Sequence, residues 1–306
     1  SLMSEANIQR LNVPLQLQDK GRPHRTLWQD AVRRFFRNRL AVFGFAVVSL
    51  FILMAIFADL IAPYAYDAAD FTKPTRLAPF VDPAHILGTD PVGRDFLSRL
   101  IYGARTSMFV GLTVQTIAVV IGVTLGGMAG YFGGKVDFAV SRLIDIMTAF
   151  PGLLFAILLV TVSGGGLSNI ILALSITSWL GIARLTRAQI LSLREKEFVE
   201  AARSLGVPSG QIIYNHLVPN ALSPILVAVS FGVPAAIFGE AGLSFLGIGV
   251  NDPIASWGKM VGESQGYIAV NWHLGVFPTL MIAFSMLGFS FMGDGLRDAL
   301  DPKLLE

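Results

Sequence analysis

Residues 146–183 read IMTAFPGLLFAILLVTVSGGGLSNIILALSITSWLGIA, 38 residues without an Asp, Glu, Lys or Arg. A helix crosses the hydrocarbon core of a bilayer in about 20 apolar residues, so this run is too long for one crossing. Ser163-Gly164-Gly165-Gly166 lies inside it, and a serine followed by three glycines is turn chemistry. The stretch therefore reads as two membrane helices, about 139–162 and 167–186, joined by a tight turn.

The whole chain supports that reading. Of 306 residues, 53% are hydrophobic and 14% are charged, against roughly 25% charged in an ordinary globular protein. Mean hydropathy is +0.62. A soluble chain with so few charges could not cover its own surface. Further apolar runs supply spans at Leu40–Ala58, at Thr106–Gly134, near 220–240 and near 275–293. The sum is an all-α integral membrane protein with six transmembrane helices. Ser1-Leu2 ahead of Met3 reads as an expression remnant. No apolar run precedes Leu40, so the N-terminus is expected to be retained.

Orientation follows from lysine and arginine. With the N-terminus inside, the inner segments hold 17 basic residues and the outer segments 6, most of the latter in one long loop where the rule is weakest. The topology is N-in, C-in. It divides the chain into a cytoplasmic segment 1–39, a first transmembrane helix 40–62, an outer loop 63–105, a five-helix core 106–296 and a cytoplasmic tail 297–306. The core carries an inner loop 187–219 and an outer loop 241–274. Arg33-Arg34-Phe35-Phe36-Arg37-Asn38-Arg39 reads as the cytoplasmic anchor of the first span, and a specific lipid site is not needed to explain it.

In the inner loop, Phe198, Ala201, Ala202 and Leu205 fall at i, i+3, i+4 and i+7, one face of a helix. Glu200 and Arg203 are three apart and can pair weakly. Gly206, with Pro208 beyond it, is a helix stop. Ser209 can cap a second short helix, and Pro219 can open the next span. The apolar face has two readings. It packs on the protein's own spans or the lipid interface, or it docks in a groove on a partner.

Glu200-Ala201-Ala202, Gly206 six residues after the glutamate and Pro219 nineteen after it resemble the EAA signature of ABC-importer permeases. The Ile and Leu usual at the end of that pattern are His216 and Val218 here, a mild departure. His216-x-x-Pro219-Asn220 is similar to the dipeptide and oligopeptide permease version. Gly88-Thr89-Asp90-Pro91-Val92-Gly93-Arg94-Asp95, with Ser98-Arg99 and Gly103-Ala104-Arg105, resembles the first outer loop of the C-type subunit. Residues 240–247 with Ser256-Trp257-Gly258 resemble its last outer loop, and residues 298–302 its tail. The motifs together span residues 30–303.

The resemblance implies a type I ABC importer permease fold and a non-catalytic subunit forming half of a translocation path. It implies four kinds of partner: a homologous B-type permease, two ATPase subunits, an extracytoplasmic substrate-binding protein and the bacterial or archaeal cytoplasmic membrane. The loop would be the coupling helix that sits in a cleft on the ATPase. Phe198, Ala201, Ala202 and Leu205 would give apolar contact, Glu200 a polar contact or cap, and Gly206 the turn; Arg203, His216 and Pro219 complete the coupling set. Ser256, Trp257 and Gly258 would contact the binding protein. Without the resemblance, the same segment reads as an apolar, glycine-rich re-entrant turn held by an interfacial tryptophan.

Pro151, Pro224 and Pro234 place kinks in spans three and five. Kinked helices serve either as moving parts of a gate or as static packing features. Arg142 and Asp145 can pair on one helical face. Asp90 and Asp95 beside Arg94 read as internal pairing that shapes the outer loop, and Glu240 as a structural contact.

Other chemistry is excluded. The chain has no cysteine, hence no disulfide, thiolate metal site or thiol nucleophile. Its four histidines (His24, His85, His216 and His273) lack metal-ligand spacing. Gly133-Gly134-Lys135 is followed by Val136, and Ala129 stands where a phosphate loop needs its first glycine. No cofactor is expected on this chain, and ATP and Mg²⁺ are expected on partner subunits. The net charge of +2 gives no reason to expect nucleic acid as a partner. The competing reading is a self-contained secondary transporter or channel, which needs an intramembrane ion site or an inverted repeat. Neither is evident. An intramembrane serine protease at Ser244 lacks a histidine at the right depth.

Overall fold

A computed structural model describes residues 27–300 of the chain. The expectations for residues 1–26 and 301–306, including the remnant, His24 and Asp301-Pro302, lie outside the described residues.

The polar segment before the first span contains helix α1, Leu27–Arg37. Asn38 separates it from α2, Arg39–Ile56, and its Oδ1 caps α2 by accepting from the Leu40 and Ala41 amides. One further turn, α3, covers Ala58–Ile61. An irregular segment then runs to α4, Phe96–Phe132. After it come α5, Gly134–Thr148, and α6, Gly152–Ser163, then α7, Leu167–Leu193. The short helices α8, Glu197–Ser204, and α9, Ser209–Gln211, lead into a π-helical turn Ile212–Leu217 and α10, Val218–Asn220. The long α11, Leu222–Phe245, is followed by α12, Trp257–Ser264, and α13, His273–Leu300.

Among the described residues, α2, α4, α7, α11 and α13 are long and apolar enough to cross a membrane, and α5 with α6 makes a sixth if the bent pair is one span. The Ser163–Gly166 turn lies where the sequence puts it, between α6 and α7.

Three expectations are corrected. The outer loop does not reach residue 105, because α4 begins at Phe96, capped by the Asp95 carboxylate on the Ser98 amide at 2.8 Å. Its first turns carry Arg99 and Arg105, which distant partners neutralise. Span three is not one kinked helix. The chain turns through 78° between α5 and α6, with Pro151 at the N-cap of α6. Pro224 does not kink span five either. It sits in the first turn of α11, where backbone N–H groups have no helical partner to lose. Pro234 does lie inside α11.

Helices α4 and α7 approach closely along a glycine stripe. A Cβ at Gly122 would lie 2.7 Å from Ile182 Cβ. One at Gly126 would lie 2.4 Å from the Ala183 carbonyl oxygen, and one at Gly130 2.8 Å from that of Arg187. Glycines four apart let two membrane helices touch backbone to backbone, where dispersion substitutes for the missing hydrophobic drive. At the end of this pair Arg187 makes a two-pronged ion pair with Asp137 of α5.

Candidate functional site

Chain continuity puts α8–α10 at one end of the bundle, with α1, the last turns of α4, α7 and α13 and the first turn of α11. The 62–95 segment, the α6–α7 turn and α12 lie at the other end.

Helix α8 has two faces. Val199 and Ala202, three residues apart, are buried in a cluster with Tyr131 of α4, Ile190 of α7 and Ile225 of α11, joined by Ile212, Ile213 and Leu217 of the π-helical turn. Phe198, Ala201 and Leu205, on the adjacent stripe, are exposed, Leu205 to 83%. Ala202, expected on the docking face, belongs to the anchoring face at 7% exposure. The four positions lie within an arc of about 100°, and Ala202 sits at the edge of that arc nearest Val199, so the fold buries it with Val199.

Gly206 ends α8 with φ of +73°. Its N–H donates to the Arg203 carbonyl at 2.9 Å and the Val207 N–H to that of Ala202 at 3.1 Å. This double closure needs a left-handed residue, which glycine adopts without strain. Glu200 is exposed, and no ion pair joins it to Arg203 among the described residues. Arg203 lies instead over the Tyr131 ring, 5.0 Å from its centroid, tying α8 to the end of α4. Ser209 is the first residue of α9 rather than its cap. His216 and Pro219 are exposed, and the His216 carbonyl accepts from Asn220 Nδ2 at 2.6 Å.

The other end is built from buried charge. Asp90 accepts from the Val92 and Arg94 amides and from Arg94 Nε at 2.6 Å. It also faces Arg99 Nε at 3.3 Å. Arg99, wholly buried, reaches the Pro253 carbonyl and Glu263. His85 Nδ1 lies 2.8 Å from Asp95. The internal pairing expected around Arg94 is present, with Asp95 turned to His85 and α4. Asp252 accepts from Lys259 Nζ at 2.9 Å, which holds its carboxyl below the usual carboxylate range. Away from this end, on α5, Arg142 and Asp145 do approach, but at 3.9 Å and well exposed.

Glu240, fully buried, accepts from the hydroxyls of Ser244 and Ser256 at 2.7 Å each and from Ser107 at 3.4 Å. It is a structural hub joining α4, α11 and α12. Ser256, Trp257 and Gly258 are buried too, so in this structure they offer a partner no surface. Ser256 caps α12. The Trp257 indole donates to the Leu100 carbonyl at 3.0 Å and packs edge-on to Phe51. A Cβ at Gly103 would meet that indole at 2.8 Å. The tryptophan is a core residue, not an interfacial anchor.

Beside this hub a cavity of about 590 Å³ opens among the α6–α7 turn, the end of α11 and α12, lined by Asn251, Asp252, Lys259 and Glu263. Sequence reasoning missed this cavity, the role of Glu263 and the α4 glycine stripe. The stripe alone had a readable signal, its spacing of four.

A family model described as binding-protein-dependent transport system inner membrane component matches residues 122–306. The chain belongs to this family. A model of the N-terminal TM domain of oligopeptide transport permease C matches residues 26–79 of the permease. The oligopeptide transport system permease protein OppC of Bacillus subtilis is 44% identical over 280 residues, 91% of this chain and 90% of the relative. That of Escherichia coli K12 is 42% identical over 303 residues, 99% of each. The dipeptide transport system permease protein DppC of Alkalihalophilus pseudofirmus is 42% identical over 278 residues, 90% of each. The MetNI methionine ABC transporter, solved in inward-facing conformations, superposes with a TM-score of 0.56 at 20% identity, over 67% of this chain and 97% of that one. That likeness shows a shared fold. The permease is thus a C-type, multi-pass component of a binding-protein-dependent transport system, and the self-contained transporter reading is not favoured.

Proposed function

We propose that this permease forms half of the translocation path of an ATP-driven importer of peptides, completed by a homologous B-type permease, and that it takes up force through α8. Both termini face the cytoplasm in this reading, with α8–α10 on the same side. Two ATPase chains, carrying ATP and Mg²⁺, close against the coupling helices of the two permeases, one of them against the exposed Phe198–Ala201–Leu205 stripe. A binding protein delivers substrate at the other end. The 42–44% identity to oligopeptide and dipeptide permeases supports peptides as the cargo.

One observation carries the reading: α8 is exposed on one stripe and anchored on the other to the ends of α4, α7 and α11. A push on the exposed stripe is delivered to three membrane helices at once. ATP can shift the permease between two states only through contacts that differ between them, and this helix offers such a contact. The proline-bearing bend of α5–α6 and Pro234 of α11 are the elements that would flex. Binding-protein contact falls to the surface around α12, which Ser256, Trp257 and Gly258 hold in place from beneath.

The chain has no cysteine, so one introduced thiol is a unique reporter. In the assembled importer, Leu205→Cys is expected to cross-link to an ATPase chain, in a yield that changes with nucleotide. Val199→Cys, buried, is expected not to react. Absence of any cross-link from position 205, with the importer assembled, would overturn the proposal.

A further inference from the structure

Helix α1 divides into three stripes. Ala31 and Phe35, four apart, are buried against Ala41 of α2 and Ala299 of α13. Val32 and Phe36, about 100° round the helix, are apolar yet 55% exposed each. Arg33 and Arg37 follow after the same rotation and are exposed, with Arg39 just beyond and Arg34 half-buried. These four arginines make no ion pair among the described residues. The one acid on α1 is Asp30.

Beside the second stripe runs a groove of about 260 Å³, lined by Val32, Phe36, Phe45, Leu226, Leu296 and Leu300 among others, and apolar throughout. Phe36 meets Phe45 edge-on at 6.0 Å and closes one wall. Phe45 lies six residues into α2, about 9 Å along its axis, and Leu226 four residues into α11, about 6 Å. The groove therefore sits at the depth where headgroups give way to acyl chains. Its α2 wall, Phe45, is itself 44% exposed. An apolar slot beside the first span, with the exposed guanidinium groups of Arg33 and Arg37 on the next stripe of α1, is complementary to one kind of molecule.

We propose that this groove binds an anionic phospholipid, with one acyl chain between Phe36, Phe45 and Leu296 and the phosphate held by Arg33, Arg37 and Arg39. Guanidinium groups bind phosphate through paired N–H donors, and burying the chain removes apolar surface that α1 otherwise exposes. The site uses neither the α8 stripe nor the cavity beside α12, so it stands apart from the transport reading.

The test is native mass spectrometry of the full chain, purified in detergent with equal amounts of phosphatidylglycerol and phosphatidylcholine. Phosphatidylglycerol should be retained in preference. R33Q/R37Q should lower that retention roughly fivefold for each arginine removed and leave phosphatidylcholine unchanged. Phe36→Ala, with all charges intact, should also lower it. Helix content should be unaltered in both variants, since Ala31 and Phe35, which bury α1 against α2 and α13, are unchanged. Equal retention of the two lipids, or loss with R33Q/R37Q but none with Phe36→Ala, would overturn the site. A photo-crosslinking side chain in place of Val32 should label phospholipid in membranes. Labelling of a second copy, or of another protein, would overturn it as well.

Discussion

The two ends of this permease are built on opposite principles. At the α12 end, charges are buried and locked to one another, Asp90 to Arg94 and Arg99 and Arg99 to Glu263, and Asp95 is held against the His85 ring. At the α8 end the anchor is an apolar cluster with a glycine turn, and the polar and apolar groups beside it are left open. Buried charge networks fix one arrangement, because breaking any pair strands a charge. Apolar contacts tolerate small sliding. The difference fits a molecule that keeps one shaped end and, on the proposed function, receives a push at the other.

The comparison breaks most visibly at Arg99. Arg99→Met leaves Asp90 and Glu263 without their shared cation. It should destabilise the fold by about 3–5 kcal/mol, as removal of one partner of a buried pair does, read as lost thermal stability of the purified chain. A small change would mean that this end is not locked as described. Gly126→Val tests the seam joining the two ends. Its side chain would be forced against the Ala183 carbonyl, and overpacking of this kind costs about 1–3 kcal/mol, read the same way.

Acid gives a graded test. Asp82 and Asp70 have carboxyls lowered by hydrogen bonds, Asp82 from Lys73 and Asp70 from Thr72. A lowered folded-state pKa gives stability that is present above the unfolded value, about 3.9, and lost as pH falls through the folded one. Hydrogen-exchange protection in residues 62–95, taken relative to the intrinsic exchange rate at each pH, should therefore be unchanged from pH 7 to pH 5 and fall below about pH 4. Loosening above pH 6 would contradict these pairings. The smallest effect belongs to the open stripe: Leu205→Ser should change stability by less than about 0.5 kcal/mol, measured by the same melt.

Much of this was legible in the chain. Uncharged runs gave the helices, Ser163–Gly166 gave the turn between α6 and α7, and the spacing from Glu200 to Gly206 gave α8 and its stop. Long-range pairing was not legible. Arg99 reads as a loop residue because its partners Pro253 and Glu263 are more than 150 positions away. A charge neutralised from that distance carries no local sign of being in a helix. Periodicity placed Phe198, Ala201, Ala202 and Leu205 on one arc, but could not say which edge of that arc faces the protein. Trp257 was misread for a related reason. A tryptophan beside glycines is common at a membrane interface, and only the fold brings Gly103 and Phe51 around it. Helix α1 escaped notice because a helix lying across the ends of others needs only two buried residues, Ala31 and Phe35.

The central claim is that force enters at the open stripe of α8. Its most direct test is substrate-stimulated ATP hydrolysis by the reconstituted importer carrying Ala201→Asp, an exposed position where the change leaves the anchoring face intact. Hydrolysis should fall to the unstimulated rate while the chain inserts and assembles normally. Full stimulation in an assembled Ala201→Asp importer would contradict the account.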